Sequence, residues 1–120
     1  MKTIQVDNDV LNSLYGDSKD SLNEVFSAYI SSYHEMKQNL SSAFCSGNLN
    51  SLKRLLHFHG PSYMYLGMPQ LANMFNALEQ KCAQVGNHFA ISSDFAELMQ
   101  LIENSYLQIA NEVVYLKKAI

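Results

Sequence analysis

Leu52–Gly67 reads LKRLLHFHGPSYMYLG, and the spacing of its residues decides how the chain folds. Leu52, Leu55, Leu56, His59, Tyr63 and Leu66 recur by threes and fours, the pattern of a helix with one side in a core. Asn50, Lys53, His57, Gly60, Pro61 and Met64 fall on the opposite, water-facing side. His57 therefore presents an imidazole to solvent. The helix is expected to reach about Leu66 with a local fault at Gly60-Pro61. Pro61 has no N–H for the carbonyl of His57, and its ring crowds that carbonyl.

Working outward, the flanking segments repeat the same pattern. Upstream, Asn48 caps this helix after the turn Ser46-Gly47-Asn48. Before that turn, Leu22, Val25, Phe26, Tyr29, Tyr33, Met36, Leu40 and Phe44 form one stripe. It lies on a long helix that Asp17 or Ser18 opens and that ends near Cys45. Asp7–Tyr15 predicts a short helix with Asp7 at its N-cap and Gly16 as its stop. Residues 1–6 read as a lead-in. Downstream, Gly67 ends the histidine helix and Pro69 suits the first turn of the next. Leu71, Met74, Phe75, Leu78, Cys82 and Val85 are its inner face, and Gly86, able to turn left-handed, is its expected stop. His88–Ile91 is a link. Ser92-Ser93-Asp94 opens the last helix, where Asp94 and Glu97 have capping-box spacing. Phe95, Leu98, Ile102, Tyr106, Ile109, Val113, Leu116 and Ile120 carry its stripe.

Short connections make sequential helices antiparallel neighbours. The predicted fold class is all-α, an up-down antiparallel four-helix bundle with a short N-terminal accessory helix, one domain over residues 1–120. A chain of 120 residues can bury about two thirds of its unfolded surface, enough for a core without staples. Hydrophobic residues make up 48%, against disorder, and two prolines with five glycines are too few for a strand-and-turn architecture.

Composition also narrows the function classes. Net charge is −3 and the basic residues form only the pairs Lys53-Arg54 and Lys117-Lys118, which argues against nucleic acid. The apolar runs are too short for a membrane span. Cys45 and Cys82 lack CxxC spacing and no secretory signal is evident, so reduced thiols in the cytoplasm are expected. No Glu-x-x-His pair supports a di-iron bundle. His57 and His59 are about 200° apart round a helix, so they do not chelate one metal. His59, on the inner stripe, reads as a hydrogen-bonded core histidine. His34 and His88 belong to no motif.

His57, Ser62, Leu66 and Gly67 match, in one ungapped register, the motif H-x-x-K-G-S-S-x-x-L-G. The chain in this stretch resembles the histidine-containing phosphotransfer (HPt) domain. The long helix, the short turn, the histidine helix and a further helix carrying LEQKC resemble that family's layout over most of the chain. Three positions depart: Gly60 stands at the lysine, Pro61 at the first glycine and Tyr63 at the second serine. Sliding the register by one would put Leu56 at the histidine, so His57 is the only sensible acceptor.

The resemblance implies a phosphorelay intermediate, with His57 taking a phosphoryl group from, and giving it to, aspartates of receiver domains. It implies response-regulator receivers and hybrid histidine kinases as partners, a monomer, no cofactor of its own, and Mg²⁺ brought by the receiver. Glu79 falls where the family often has a glutamine or glutamate facing the histidine. A carboxylate there would hold the proton on Nδ1 and leave Nε2 free to attack phosphorus. Asn76, one turn earlier, could line the same surface. The absent lysine removes a cation one turn beyond the histidine. Lys53, one turn before it, or Arg54 could stabilise phosphate charge from the other side.

Each candidate also has an ordinary counterpart. His57 can be a solvated surface histidine, Glu79 a solvated helix glutamate, and Lys53 and Arg54 plain surface charge. Two other functions stand beside the relay. One is a degenerate HPt-like module that binds receiver or kinase domains without phosphotransfer. The other is a generic helical adaptor or oligomer in which the match is accidental.

Overall fold

Side chains that take up otherwise orphaned backbone N–H groups mark where the helices start. The computed structural model describes residues 4–119, with side chains through residue 112. Asp7 accepts hydrogen bonds from the N–H groups of Asp9 and Val10 and opens α1 (Asn8–Tyr15). Ser18 accepts from Ser21 N–H and opens α2 (Lys19–Cys45), and Asn48 accepts from Ser51 N–H and opens α3 (Leu49–His59). There follow α4 (Ser62–Tyr65), α5 (Pro69–Gln84, with proline in its first turn), a 3-10 turn (His88–Ile91) and α6 (Ser92–Ala119). The protein is all-helical, with no strand among the described residues.

The stripes read from the sequence meet in one core. α3 packs on α2 and α5, α2 on α6, and α5 on α6. Rings show the direction of one pair: Tyr33 stacks on Tyr106 and Phe44 on Phe95, each with centroids 4.2 Å apart. Later residues of α2 thus meet earlier residues of α6, so the two run antiparallel. Phe26, Leu40, Leu52, Leu56, Tyr63, Leu71, Phe75, Leu98 and Ile102 are all buried. At roughly 25 cal/mol per Å² of apolar surface, their removal from water is the main favourable contribution to folding. The stripe positions Val113, Leu116 and Ile120 and the pair Lys117-Lys118 lie outside the described side chains, as do residues 1–3 of the lead-in.

Buried among these rings, the hydroxyls of Tyr29 and Tyr63 share a 2.7 Å hydrogen bond. Burial pushes both phenols to stay neutral by raising their pKa values. Tyr29→Phe would leave the Tyr63 hydroxyl buried without its partner. The expected loss is about 1–3 kcal/mol in urea unfolding. An unchanged midpoint would show that this bond contributes nothing net.

The N-terminal segment is fastened to α4. Asp7 N–H donates to the Gly67 carbonyl and the Tyr15 hydroxyl donates to the Tyr65 carbonyl, each at 2.7 Å. Gly67 has φ +76°, and a Cβ on it would come within 2.8 Å of Leu11. Only glycine meets both the conformation and the close approach.

Four details differ from the sequence reading. The histidine helix does not continue to Leu66: it ends at His59, Gly60 and Pro61 form a turn that keeps helical φ and ψ, and Ser62–Tyr65 form a separate turn of helix. Pro61 can start α4 but cannot donate within α3. Gly60 is not water-facing. It is buried, and a Cβ there would lie 2.9 Å from Phe75 Cβ. Gly86 does not take a left-handed turn. α5 ends because Val85 is already extended, and the glycines with positive φ are Gly16, Gly47 and Gly67. Finally, α6 starts at Ser92, directly from the 3-10 turn, so Asp94 lies inside the helix and pairs with Lys81 instead of capping. Among the described residues, no helix is long and apolar enough to cross a membrane.

Candidate functional site

Two helices bring the site together. On α3, Leu52 and Leu56 turn inward, so His57, the next residue, faces out with 78% of its side chain exposed. On α5, Leu71, Phe75, Leu78 and Cys82 turn inward. Glu79 follows Leu78 and sits at the rim of the α3–α5 seam, with 17% of its side chain exposed. The close approach of Gly60 to Phe75 leaves no free space for a Cβ between the two helices. It lies one turn further along α3 and one turn earlier along α5 than His57 and Glu79, as antiparallel packing requires.

His57 Nδ1 lies 3.1 Å from Glu79 Oε1 and 3.2 Å from Oε2. An ionised carboxylate can only accept, so the ring proton belongs on Nδ1 and the Nε2 lone pair is left toward solvent. The pair is a nucleophilic nitrogen on one side of a ring, with a negative charge behind the other. That arrangement can stabilise positive charge as Nε2 forms a bond to an electrophile.

Asn50, Lys53, Arg54, His57 and Glu79 line a shallow depression of about 370 Å³. Lys53 has no ion-pair partner among the described residues. Arg54 Nε donates to the Asn50 carbonyl at 3.4 Å. Asn76 is exposed but is not part of this depression. Lys81, two residues beyond Glu79, is drawn away by Asp94 at 2.7 Å. The walls contributed by Asn50 and Arg54 follow from their spacing of seven and three residues before His57, the same helix face, a signal the sequence contains.

His59 is half-buried on the other side of α3. It faces a cavity between α2 and α4 shared with Met36, Ser62 and Tyr63. Its ring nitrogens have no hydrogen bond among the described residues, so it is not the hydrogen-bonded core histidine expected from the sequence. Burial lowers its pKa below the ordinary 6.5, with Glu35 pulling weakly the other way. Just below pH 6.5 the unfolded chain therefore binds a proton that the folded chain does not, and stability rises with pH. The melting temperature is expected to fall as pH drops through this range, and to fall less in His59→Asn. Equal slopes for both proteins would rule this out.

Of the two free cysteines, Cys45 is exposed and Cys82 is buried beside the site. Burial and the Glu79 carboxylate raise the Cys82 pKa, while the Lys53 ammonium opposes the rise. The thiol is thus a neutral packing group rather than a nucleophile.

Comparison of the chain with protein-family models, with curated proteins and with solved structures found no match.

Proposed function

We propose that this protein is a phosphorelay intermediate that accepts a phosphoryl group on His57 and passes it on. The observation that carries this reading is the His57–Glu79 pair: an exposed imidazole whose Nδ1 is engaged and whose Nε2 is free. The reading includes the HPt-like architecture, an up-down antiparallel four-helix bundle of α2, α3, α5 and α6 with α1 as accessory helix. It is further supported by the ungapped match of His57, Ser62, Leu66 and Gly67 to the HPt motif.

In the proposed transfer, the Nε2 lone pair attacks the phosphorus of a receiver aspartyl phosphate. The N–P bond forms as the acyl phosphate P–O bond breaks, and the aspartate leaves as a carboxylate. The proton stays on Nδ1, and the positive charge gained by the ring is balanced by Glu79. The reverse reaction returns the phosphoryl group to another aspartate. Such transfer depends mainly on positioning and charge stabilisation. The receiver supplies its own aspartate, lysine and Mg²⁺. Response regulators and hybrid histidine kinases in the cytoplasm are the proposed partners of a monomeric chain.

The test is transfer of label from phosphorylated receiver domains to the folded protein. The expected product is one acid-labile phosphohistidine, located by mass spectrometry. The departures at Gly60, Pro61 and Tyr63 favour one second reading, a module that binds receivers without accepting phosphate. Receivers retained by the protein across a panel, with no label transferred, would replace the first reading by the second.

A further inference from the structure

We infer that the phosphoryl group on His57 is held from the N-terminal side of α3, by the Lys53 ammonium, in the depression between Asn50, Lys53, Arg54, His57 and Glu79. This rests on the reading of His57 as phospho-acceptor and adds the site that neutralises the phosphate. The first ground is exclusion on the C-terminal side. Gly60 is buried, and a Cβ there would lie 2.9 Å from Phe75 Cβ and 3.0 Å from the Leu56 carbonyl. Pro61 and Met64, further along the same side, carry no charge. The backbone is also unfavourable to an anion there. α3 ends at His59, so its last carbonyls, with their partial negative charge, gather on that side.

The second ground is what stands on the N-terminal side. Lys53 precedes His57 by four residues, one helical turn, and both line the same depression. No carboxylate among the described residues pairs with Lys53. Arg54 is less suited, because its Nε is turned back to the Asn50 carbonyl. Lys81 is occupied by Asp94. A compact ammonium on a flexible stem can follow the phosphoryl group from the incoming to the bound position.

Phosphoramidate, a small-molecule phosphoryl donor, tests this without a receiver. Phosphohistidine at His57 would be followed by mass spectrometry in the wild type, Lys53→Gln, Lys53→Arg and Lys19→Gln, with His57→Gln as background. Lys53→Gln is expected to form it about three- to ten-fold more slowly, as for removal of one charge-assisted contact at an exposed site. Lys53→Arg should restore most of the rate, and Lys19→Gln, which removes an exposed lysine outside the depression, should change it less than about two-fold. Rising salt should narrow the gap between wild type and Lys53→Gln, since exposed charges are screened. A purely structural role for Lys53 would not show that convergence. Labelling of Lys53→Gln at the wild-type rate would overturn this inference and leave the proposed function standing. Absence of label on wild-type His57, both here and from receivers, would overturn both.

Discussion

His57→Gln is expected to abolish phosphoryl acceptance while leaving the fold intact. Glutamine is similar in reach and can still donate to Glu79, but its amide nitrogen has no available lone pair with which to attack phosphorus. The imidazole is 78% exposed, so its loss removes little packing. Substitutions at such surface positions usually change stability by less than about 0.5 kcal/mol, and an exposed ion pair contributes at most about 1. The variant should therefore melt within a few degrees of the wild type and carry no label from any receiver. Label persisting on the variant would assign the acceptor to another histidine. A large drop in melting temperature would show that His57 is a structural residue and would undercut the proposed role.

Gly60→Lys, which places a lysine where the HPt motif has one, is expected to destabilise the protein. Gly60 has ordinary helical φ and ψ of −54° and −50°, so no backbone strain is involved. The obstacle is Phe75, whose Cβ would lie 2.9 Å from the new Cβ. An atom that close to the backbone of α5 cannot swing aside, so α3 and α5 would have to separate. Overpacking of this kind costs about 1–3 kcal/mol, against a helix-propensity gain over glycine of under about 1 kcal/mol. The expected result is a melting temperature lower by several degrees. Because Glu79 and His57 bridge the same two helices, their contact should loosen as well. Equal or higher stability in Gly60→Lys would show that the seam is slack and that the absent lysine has no packing cause. Gly60→Ala isolates the steric part, since it adds the Cβ without the charge.

Much of this chain could be read before its structure. The stripes on α2, α5 and α6 are long and periodic, and burial follows the period directly. Caps at Asp7 and Asn48 are legible because a short polar side chain before an apolar run meets a local demand of the backbone, whereas the structure chooses Ser18 over Asp17 for α2. The placement of His57 outward and Tyr63 inward also follows from spacing alone. Where the reading went astray, the deciding interaction was not local. Glycine carries no hydropathy to count, so the inward position of Gly60, four residues after Leu56, was hidden in the pattern. Asp94 has the spacing of a cap, but Lys81, which claims it, lies on another helix. Gly86 is a natural helix stop, but Val85 before it has already turned extended.

By itself, the sequence determined that the protein is helical, which faces of its helices are largely buried, and that His57 stands toward water. These are consequences of periodicity and backbone hydrogen bonding, which act over a few residues. Only the tertiary structure decided that Glu79 reaches Nδ1 of His57 and that, among the described residues, Lys53 has no ion-pair partner while Lys81 pairs with Asp94. It also decided that no side chain fits at position 60. Each of these depends on how helices meet: α5 with α6 for Lys81, α3 with α5 for the others. At the α3–α5 seam Gly60 lies directly against Phe75, two residues that only the packing of separate helices brings together.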